Sequence, residues 1–375
     1  MARIVLVGAG HTHAELARLT PRFVQGGHSL TLVSPTAMHP YSGMGPGLLG
    51  GTYALSDIVV PAAHLVERGG GTFVRGTVVS HDTEARTITL STGEHIGYDV
   101  LSLNVGSEPV AGESDATHGA AQPAHPGPRL FHVKPIAELA RARSTIEAQC
   151  VASGTCRVAV VGAGPAGVEV AANAAFLAAR LGARNEVSLY SASPSLAHLE
   201  ERRNSWVEDF LKDHHVSPHY GAKVSPQELD ADIVLVASGI RPPRALERFG
   251  LPLAPDGAVI IDRFLRSPAA PEVFAVGDSA WFEPEPLNRA GVFAVRMQPV
   301  LADNLEATAR AHERGRDVDT AALSPFEATG TYLVALNLGF KIGFLYRGRV
   351  SMKGKPAFRL KDRIDRAFVR RYQSR

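Results

Sequence analysis

Unbroken apolar runs that end in glycine alternate with stretches of helical period along this 375-residue chain. Residues 4–7 are uniformly apolar and predict a buried parallel strand. Residues 11–19 predict a helix and residues 30–33 the next strand, which completes a βαβ unit. Residues 71–80 and 85–90 read as antiparallel strands of an insertion, and residues 98–104 return as a strand. Residues 111–129 are rich in Gly, Ala, Pro and His without a period and predict a loop. A helix over 135–148 leads to a second βαβ unit, with strand 157–161, helix 165–181 and strand 187–190. Strands at 232–237, 259–261 and 273–276 follow, and then a helix at 299–313.

The two units open on one signature, repeated 154 residues apart. In the first, the strand runs into Gly8, Ala9 and Gly10; in the second, into Gly162, Ala163, Gly164, Pro165, Ala166 and Gly167. Such glycines allow a tight turn and bring backbone N–H groups close to a pyrophosphate, whose charge a helix N-terminus favours. One turn of this kind is also an ordinary strand–helix connection. Two at domain spacing, followed by Gly277-Asp278 after a third apolar run, are far more specific and predict two bound dinucleotides.

The expected fold is therefore α/β, with two Rossmann-like units, the second inserted in the first. The boundaries read as 1–110 and 251–315 for the outer unit, 111–130 for a loop, 131–250 for the inserted unit and 316–375 for a C-terminal region. Abundant alanine, glycine and valine suit close helix–sheet packing. Only two cysteines are present, Cys150 and Cys156, which excludes a disulfide scaffold and fits a reducing compartment. The first strand leaves no room for a signal peptide, and no run reaches the roughly 18–20 apolar residues of a spanning helix. A cytoplasmic protein is expected, or one peripheral on the inner face of the cell membrane. No nucleic-acid partner and no metal site are expected, and a homodimer is a candidate assembly.

Charge changes the picture at the end of the chain. Residues 339–375 hold twelve Lys and Arg against two Asp, a net of +10, which leaves −8 on the remainder of a chain whose total is +2. Ala357, Leu360, Ile364, Ala367, Phe368 and Tyr372 fall on one helical face, with Arg359, Lys361, Arg363, Arg366 and Arg370 around much of the rest. A basic amphipathic helix of this kind suits an anionic membrane surface. It equally suits packing onto the protein's own acidic body.

These motifs, together with Asn104-Val105-Gly106-Ser107-x-Pro109 and Ala237-Ser238-Gly239-x-x-Pro242, resemble the two-dinucleotide flavoproteins of the pyridine nucleotide–disulfide oxidoreductase superfamily. Gly10-His11-Thr12-His13, Pro40-Tyr41-Ser42-Gly43-Met44-x-Pro46-Gly47, Val133-Lys134-Pro135 and the run 290–296 with Val292 and Phe293 narrow this. They resemble type II NADH dehydrogenase-like proteins, and among them the flavin domains associated with selenide, water dikinase. The resemblance implies FAD on Gly8, Gly10 and His11, with Gly106, Gly277 and Asp278 completing its site, and NAD(P)H on Gly162, Gly164, Pro165, Gly167 and Gly239. Asp278 would bind the ribitol or pyrophosphate region, with a plain helix N-cap as its bland alternative. Pro40 to Gly47 would lie along the isoalloxazine, with Tyr41 shielding it. Glu169 would position the nicotinamide; otherwise it is a first-turn glutamate favoured by the helix dipole. Lys134 would place charge beside the reduced flavin or stand solvated before its helix.

Departures from the pattern matter as much. His13 replaces the third glycine of the first turn, where a packed structural imidazole is more common than a ligand. Ser34 and Ser191 stand where acidic ribose partners are expected, so preference between NADH and NADPH is open. Residues 34–51 contain no cysteine, which removes the thiol relay of disulfide reductases. Met297-Gln298 replaces the usual Gln-Gly at the acceptor side, so Gln298 is a candidate quinone contact whose direction is unsettled. The resulting expectation is hydride transfer from NAD(P)H to FAD and onward to a quinone. A soluble reductase for a protein or selenium-compound acceptor, and a low-turnover nucleotide-binding redox sensor, are the competing readings.

Overall fold

Each glycine-ended run becomes the central strand of a parallel sheet in the computed structural model, which describes residues 1–110, 127–196, 201–328 and 330–373. β1 (Arg3–Val7) passes through α1 (His11–Arg18) to β2 (Ser29–Ser34) and β3 (Thr72–Arg75). An antiparallel excursion, β4 (Val78–Asp82), β5 (Thr87–Leu90) and β6 (His95–Gly97), precedes β7 (Val100–Leu103), which returns to the other side of β1. The second unit runs β8 (Arg129–His132), α2 (Ala137–Ser153), β9 (Thr155–Val161), α3 (Pro165–Arg180), β10 (Arg184–Ser191), α4 (Glu201–Asp213), β11 (Val216–Tyr220) and β12 (Ile233–Val236). The chain then re-enters the first sheet through β13 (Arg266–Ser267) and β14 (Ala270–Ala275) and crosses it with α5 (Gly291–Glu313).

The strand orders are β13-β14-β7-β1-β2-β3 and β8-β12-β9-β10-β11. In both sheets the chain reverses direction beside the glycine-ended strand, the place where open α/β sheets bind ligands. Ile4 to Val7 are at most 4% exposed, which explains their uniform apolarity. In α3, alanines at 171, 172, 174, 175 and 178 are buried, and their small size lets the helix lie close to the sheet.

The C-terminal region is a strap across both units. β15 (Val334–Asn337), β16 (Gly343–Arg347) and β17 (Val350–Gly354) form an antiparallel meander. Its Leu336 and Phe344 enter the core of the second unit. The final helix, α6 (Lys355–Gln373), sends Tyr372 into the first unit's core and Val369 into a small core with Met44, Leu48, Tyr53 and Ile58. Burial of one such apolar side chain is worth about 1.5–3 kcal/mol.

Three features differ from the sequence expectation. Residues 72–75 belong to the main sheet, parallel to β2, and only the strands after them form an excursion. The helix expected from residue 299 begins at Gly291 and carries Pro299 in its interior. Proline forfeits one hydrogen bond there, and the burial of Phe293, Met297 and Leu301 holds the helix through it. In α6, the expected apolar stripe is split: Leu360 and Ile364 are 40% and 44% exposed, while Lys361 and Asp365 point inward beside Ala357, Val369 and Tyr372. Most of the loop expected over 111–130 lies outside the described residues.

Candidate functional site

The first glycine turn is shaped by Asn104, at the end of β7. A Cβ on Gly8 would come within 2.4 Å of the Asn104 carbonyl oxygen, and one on Gly10 within 2.3 Å of its Oδ1. Gly8 also has φ of +86°, open mainly to glycine. Asn104 Oδ1 accepts from the N–H groups of Thr12 (3.2 Å) and His13 (3.3 Å), and its Nδ2 donates to the Val276 carbonyl (3.0 Å). One side chain thus ties together the turn, the start of α1 and the segment before Gly277. His13 is fully buried, with Nδ1 2.7 Å from the Gly8 carbonyl and Nε2 2.8 Å from Ser102 Oγ. A carbonyl only accepts, so Nδ1 carries the proton and Nε2 accepts from the serine. Burial lowers its pKa to about 4, and the ring is a neutral packing residue.

Three polar groups gather where the two units meet. Lys134, just before α2, donates to Ser107 Oγ (2.6 Å) and to Asp278 Oδ2 (3.1 Å), and Ser107 Oγ donates to the same Oδ2 (2.6 Å). Burial alone would raise the Asp278 carboxyl; the Lys134 ammonium and the Ser107 hydroxyl outweigh it and hold the group ionised. Near them lie the rings of His11 and His39 (5.1 Å apart), Tyr41 (5.3 Å from His11) and Phe368 of α6, stacked on Tyr41 at 4.5 Å. Burial keeps both imidazoles neutral, with pKa values lowered to about 4 for His11 and about 3 for His39. Pro40 is half-buried beside them.

At the second turn the glycines divide. Gly162 (φ +107°) and Gly167 are pinned by contacts, since added Cβ atoms would lie 2.4 Å from the Ala237 carbonyl and 1.7 Å from the Gly162 carbonyl. Gly164, at the N-cap of α3 before Pro165, would meet nothing within 4 Å, and neither would Gly106 at the end of the first unit's β7. Gly239 follows β12, and its carbonyl accepts from Val110 N–H (3.2 Å). Beside it Glu108–Pro109 pairs antiparallel with Ile240–Arg241, which ties the two crossings between units. Ser34 and Ser191 occupy matching strand ends, each hydroxyl accepting from the backbone N–H two residues on (3.4 and 3.1 Å).

Glu169 lies on α3, half-buried, with Oε1 accepting from Asn337 N–H at 2.7 Å. Burial pushes its pKa up to about 7, against the pull of the Lys361 ammonium and the Asn337 N–H. Lys361 Nζ donates to Asp365 Oδ2 (2.8 Å) and to the Gly43 carbonyl (2.9 Å), and the Tyr41 hydroxyl donates to Asp365 Oδ1 (3.3 Å). Residues 41–43, α3 and α6 therefore meet around one set of ionisable groups.

On the other side, Gln298 is buried and donates from Nε2 to the His11 carbonyl (2.9 Å), while the Met297 sulfur accepts from Gly277 N–H (3.4 Å). Val292 and Phe293 stand in the first turn of α5, half-buried and buried. Cys150 and Cys156 are buried, free, and packed in the second unit's core at α2 and β9; burial pushes the Cys156 thiol up to about 12. The sequence pattern gave no site role to Asn104, His39, Lys361 or Asp365. Lys361 and Asp365 carried one signal, an opposite-charge pair at i,i+4 on the side of the helix that also holds Ala357 and Tyr372.

Residues 2–309 match the family described as pyridine nucleotide-disulphide oxidoreductase. An NADH dehydrogenase-like protein of Mycobacterium tuberculosis is 29% identical over 250 residues, 60% of this chain and 59% of that protein. The chain thus spans about three fifths of the length of the curated relatives it first matches. An NADH dehydrogenase-like protein of Bacillus subtilis is 23% identical over 75% of this chain and 77% of that one. Among solved structures, the sulfide:quinone oxidoreductase of Aquifex aeolicus superposes with a TM-score of 0.76 at 15% identity, covering 99% of this chain and 91% of that one. NDH2 of Plasmodium falciparum in complex with NADH gives 0.70 at 14% identity, covering 98% and 97%.

FAD and NAD(P)H are the cofactors of this family, and the residues present fit them. Gly164 leaves room at the second turn, and Gly106 leaves room past the end of β7. His39 Nε2 is buried among the rings with no protein partner, as a polar ligand would require. Lys134 and Asp278 supply a half-buried charge of each sign near it.

Proposed function

We propose, starting from the premise that the chain belongs to the pyridine nucleotide-disulphide oxidoreductase family, that it oxidises NAD(P)H through FAD and passes the electrons to a quinone without a thiol relay. The observation that carries the reading is the cysteine-free segment 39–51 in the crevice between the units. Gly45 there sits against Ile136 and Leu139, and Gly50 and Gly51 against Asn173 and Arg180. When bound, FAD supplies a ring that accepts hydride and gives up its electrons to a second substrate.

The chain's own part is to hold and orient. Asn104 takes the N–H groups of Thr12 and His13, and those of Gly8 and Gly10 go to the Val33 and Asn104 carbonyls, so pyrophosphate contact falls to the Ala9 and His11 N–H groups between them. Asp278, kept ionised by Lys134, accepts from cofactor hydroxyls. Gly164 admits the coenzyme pyrophosphate to the start of α3, and Glu169, one turn further on, meets the nicotinamide. Tyr41 and Phe368 wall the crevice against water. Val350, Met352, Leu360 and Ile364 are exposed among Arg349, Lys353, Lys355, Arg359 and Arg363. That apolar and basic surface suits docking on an anionic membrane, where a quinone is found. Among the described residues no helix is long and apolar enough to cross a membrane.

The test is a two-step stopped-flow experiment on purified protein. The protein should be yellow, with about one FAD per chain; NADH or NADPH should bleach it without oxygen, and a short-chain quinone should restore the colour. A colourless protein that refuses FAD overturns the cofactor assignment. Reduced flavin that persists for minutes in excess quinone overturns the acceptor, and leaves a soluble reductase with a protein or selenium-compound acceptor.

A further inference from the structure

The C-terminal helix brings two charges into the interior. Lys361 and Asp365 have side chains only 7% and 5% exposed, yet they lie 2.8 Å apart with further hydrogen bonds to the Gly43 carbonyl and the Tyr41 hydroxyl. A buried ion pair gains little stability over an apolar pair of the same shape, because desolvation offsets its attraction. Stability alone therefore does not account for charges at these positions. Both lie close enough to the half-buried Glu169 carboxyl, held by Asn337 N–H, to act on it electrostatically.

We propose that Lys361 and Asp365 are positioning residues for the coenzyme side of the site: Asp365 holds the Tyr41 phenol in place, and the pair together sets whether Glu169 meets the nicotinamide protonated or charged. The inference rests on the reading that Glu169 faces that ring. The distinction matters chemically, because a protonated carboxyl can donate a hydrogen bond to the carboxamide oxygen whereas a carboxylate can only accept from its NH2. The ionisable groups acting on Glu169 are Lys361 and Asp365 from α6 and Tyr41 from the 39–44 segment; its neighbour from β15 is the uncharged Asn337 N–H. Asp362 lies further along α6, engaged with Tyr53 and Arg366.

The signs are opposite for the two partners. Lys361 favours the carboxylate form of Glu169 and Asp365 opposes it. Removing the ammonium in Lys361→Met should raise the pH at which Glu169 titrates, and removing the carboxylate in Asp365→Asn should lower it, each by roughly one unit. A change that merely loosened packing would not move the two in opposite directions.

The experiment is infrared titration of the FAD-loaded protein from pH 5 to 9, following the protonated carboxyl band that disappears in Glu169→Gln, alongside the pH dependence of NAD(P)H affinity. Asp362→Asn serves as a packing control, with a titration within a few tenths of a unit of the wild type. Because either single change at the pair strands a buried charge, the double variant Lys361→Met/Asp365→Leu is included. It should fold and titrate above the wild type, since the outgoing Lys361 effect is the larger. Opposite shifts in the single variants, or an upward shift in the double if a single variant does not fold, are expected. Bands that titrate alike in all forms overturn the inference. Bands that separate while NAD(P)H affinity stays level with pH overturn instead the placement of Glu169 against the nicotinamide, on which the inference stands.

Discussion

At the second turn, Gly162 and Gly164 are glycines for different reasons, and substitution should separate them. Gly162→Ala puts a Cβ 2.4 Å from a backbone carbonyl at φ of +107°, and should destabilise the fold by about 2–4 kcal/mol in urea unfolding. Gly164→Val adds its side chain to open space at an extended N-cap (φ −70°, ψ 178°). Its stability should stay within about 1 kcal/mol of the wild type, while NAD(P)H binds roughly tenfold or more weakly by calorimetry. Asp278→Asn removes the negative partner of Lys134, and should weaken FAD by about 1.5–3 kcal/mol in a release titration, with the second turn's affinity for NAD(P)H unchanged. Fingerprint glycines were legible from local pattern. The reason each is glycine was not, because the atoms that crowd Gly8, Gly10 and Gly162 come from Asn104 and Ala237, far along the chain.

Among the elements, α6 has two faces with separable tasks. Its outer face carries Leu360 and Ile364 among arginines, and its inner face carries Ala357, Lys361, Asp365, Val369 and Tyr372. Arg359→Gln/Arg363→Gln should therefore reduce binding to anionic vesicles at low salt by about 2 kcal/mol, or roughly 30-fold in a flotation assay, with FAD content and melting temperature unchanged. Removing the whole helix is a different experiment, because Val369, Tyr372 and the contact of Phe368 with Tyr41 go with it. A helix was legible over this stretch, but its orientation was not. Apolar residues alone placed the stripe about one position too far round, since the buried side also contains a charged pair.

On the scale of the whole molecule, acid should destabilise this protein ahead of any loss of its carboxylates. His11, His13 and His39 have folded pKa values near 4, 4 and 3, below the ordinary 6.5. A group depressed on folding gives stability that is complete above its unfolded pKa and is lost as pH falls from 6.5 toward 4. Glu169 works the other way: its folded pKa of about 7 exceeds 4.5, so its burial favours the fold at low pH and is opposed as pH rises through 4.5 to 7. Three imidazoles outweigh one carboxyl, so the urea midpoint should fall between pH 6.5 and 4.5, and His13→Gln should flatten that slope by on the order of a few kcal/mol.

Residue pattern carries the alternation of buried strands and helices, the two glycine turns, the late Gly277-Asp278 and the absence of cysteine from residues 34–51. Those features are local, because a strand buried on both faces is apolar at every position and a crowded turn at positive φ selects glycine. Distant contacts decided that Asn104 fills the first turn, that His13 is a neutral packing residue and that Gln298 donates to the His11 carbonyl. They also decided which side of the last helix turns inward. Lys361 reaches the Gly43 carbonyl across 318 residues of sequence, and Asp365 meets Tyr41 across 324. A charge is buried only where distant groups compensate it, and no pattern within nineteen residues of helix could reveal those partners.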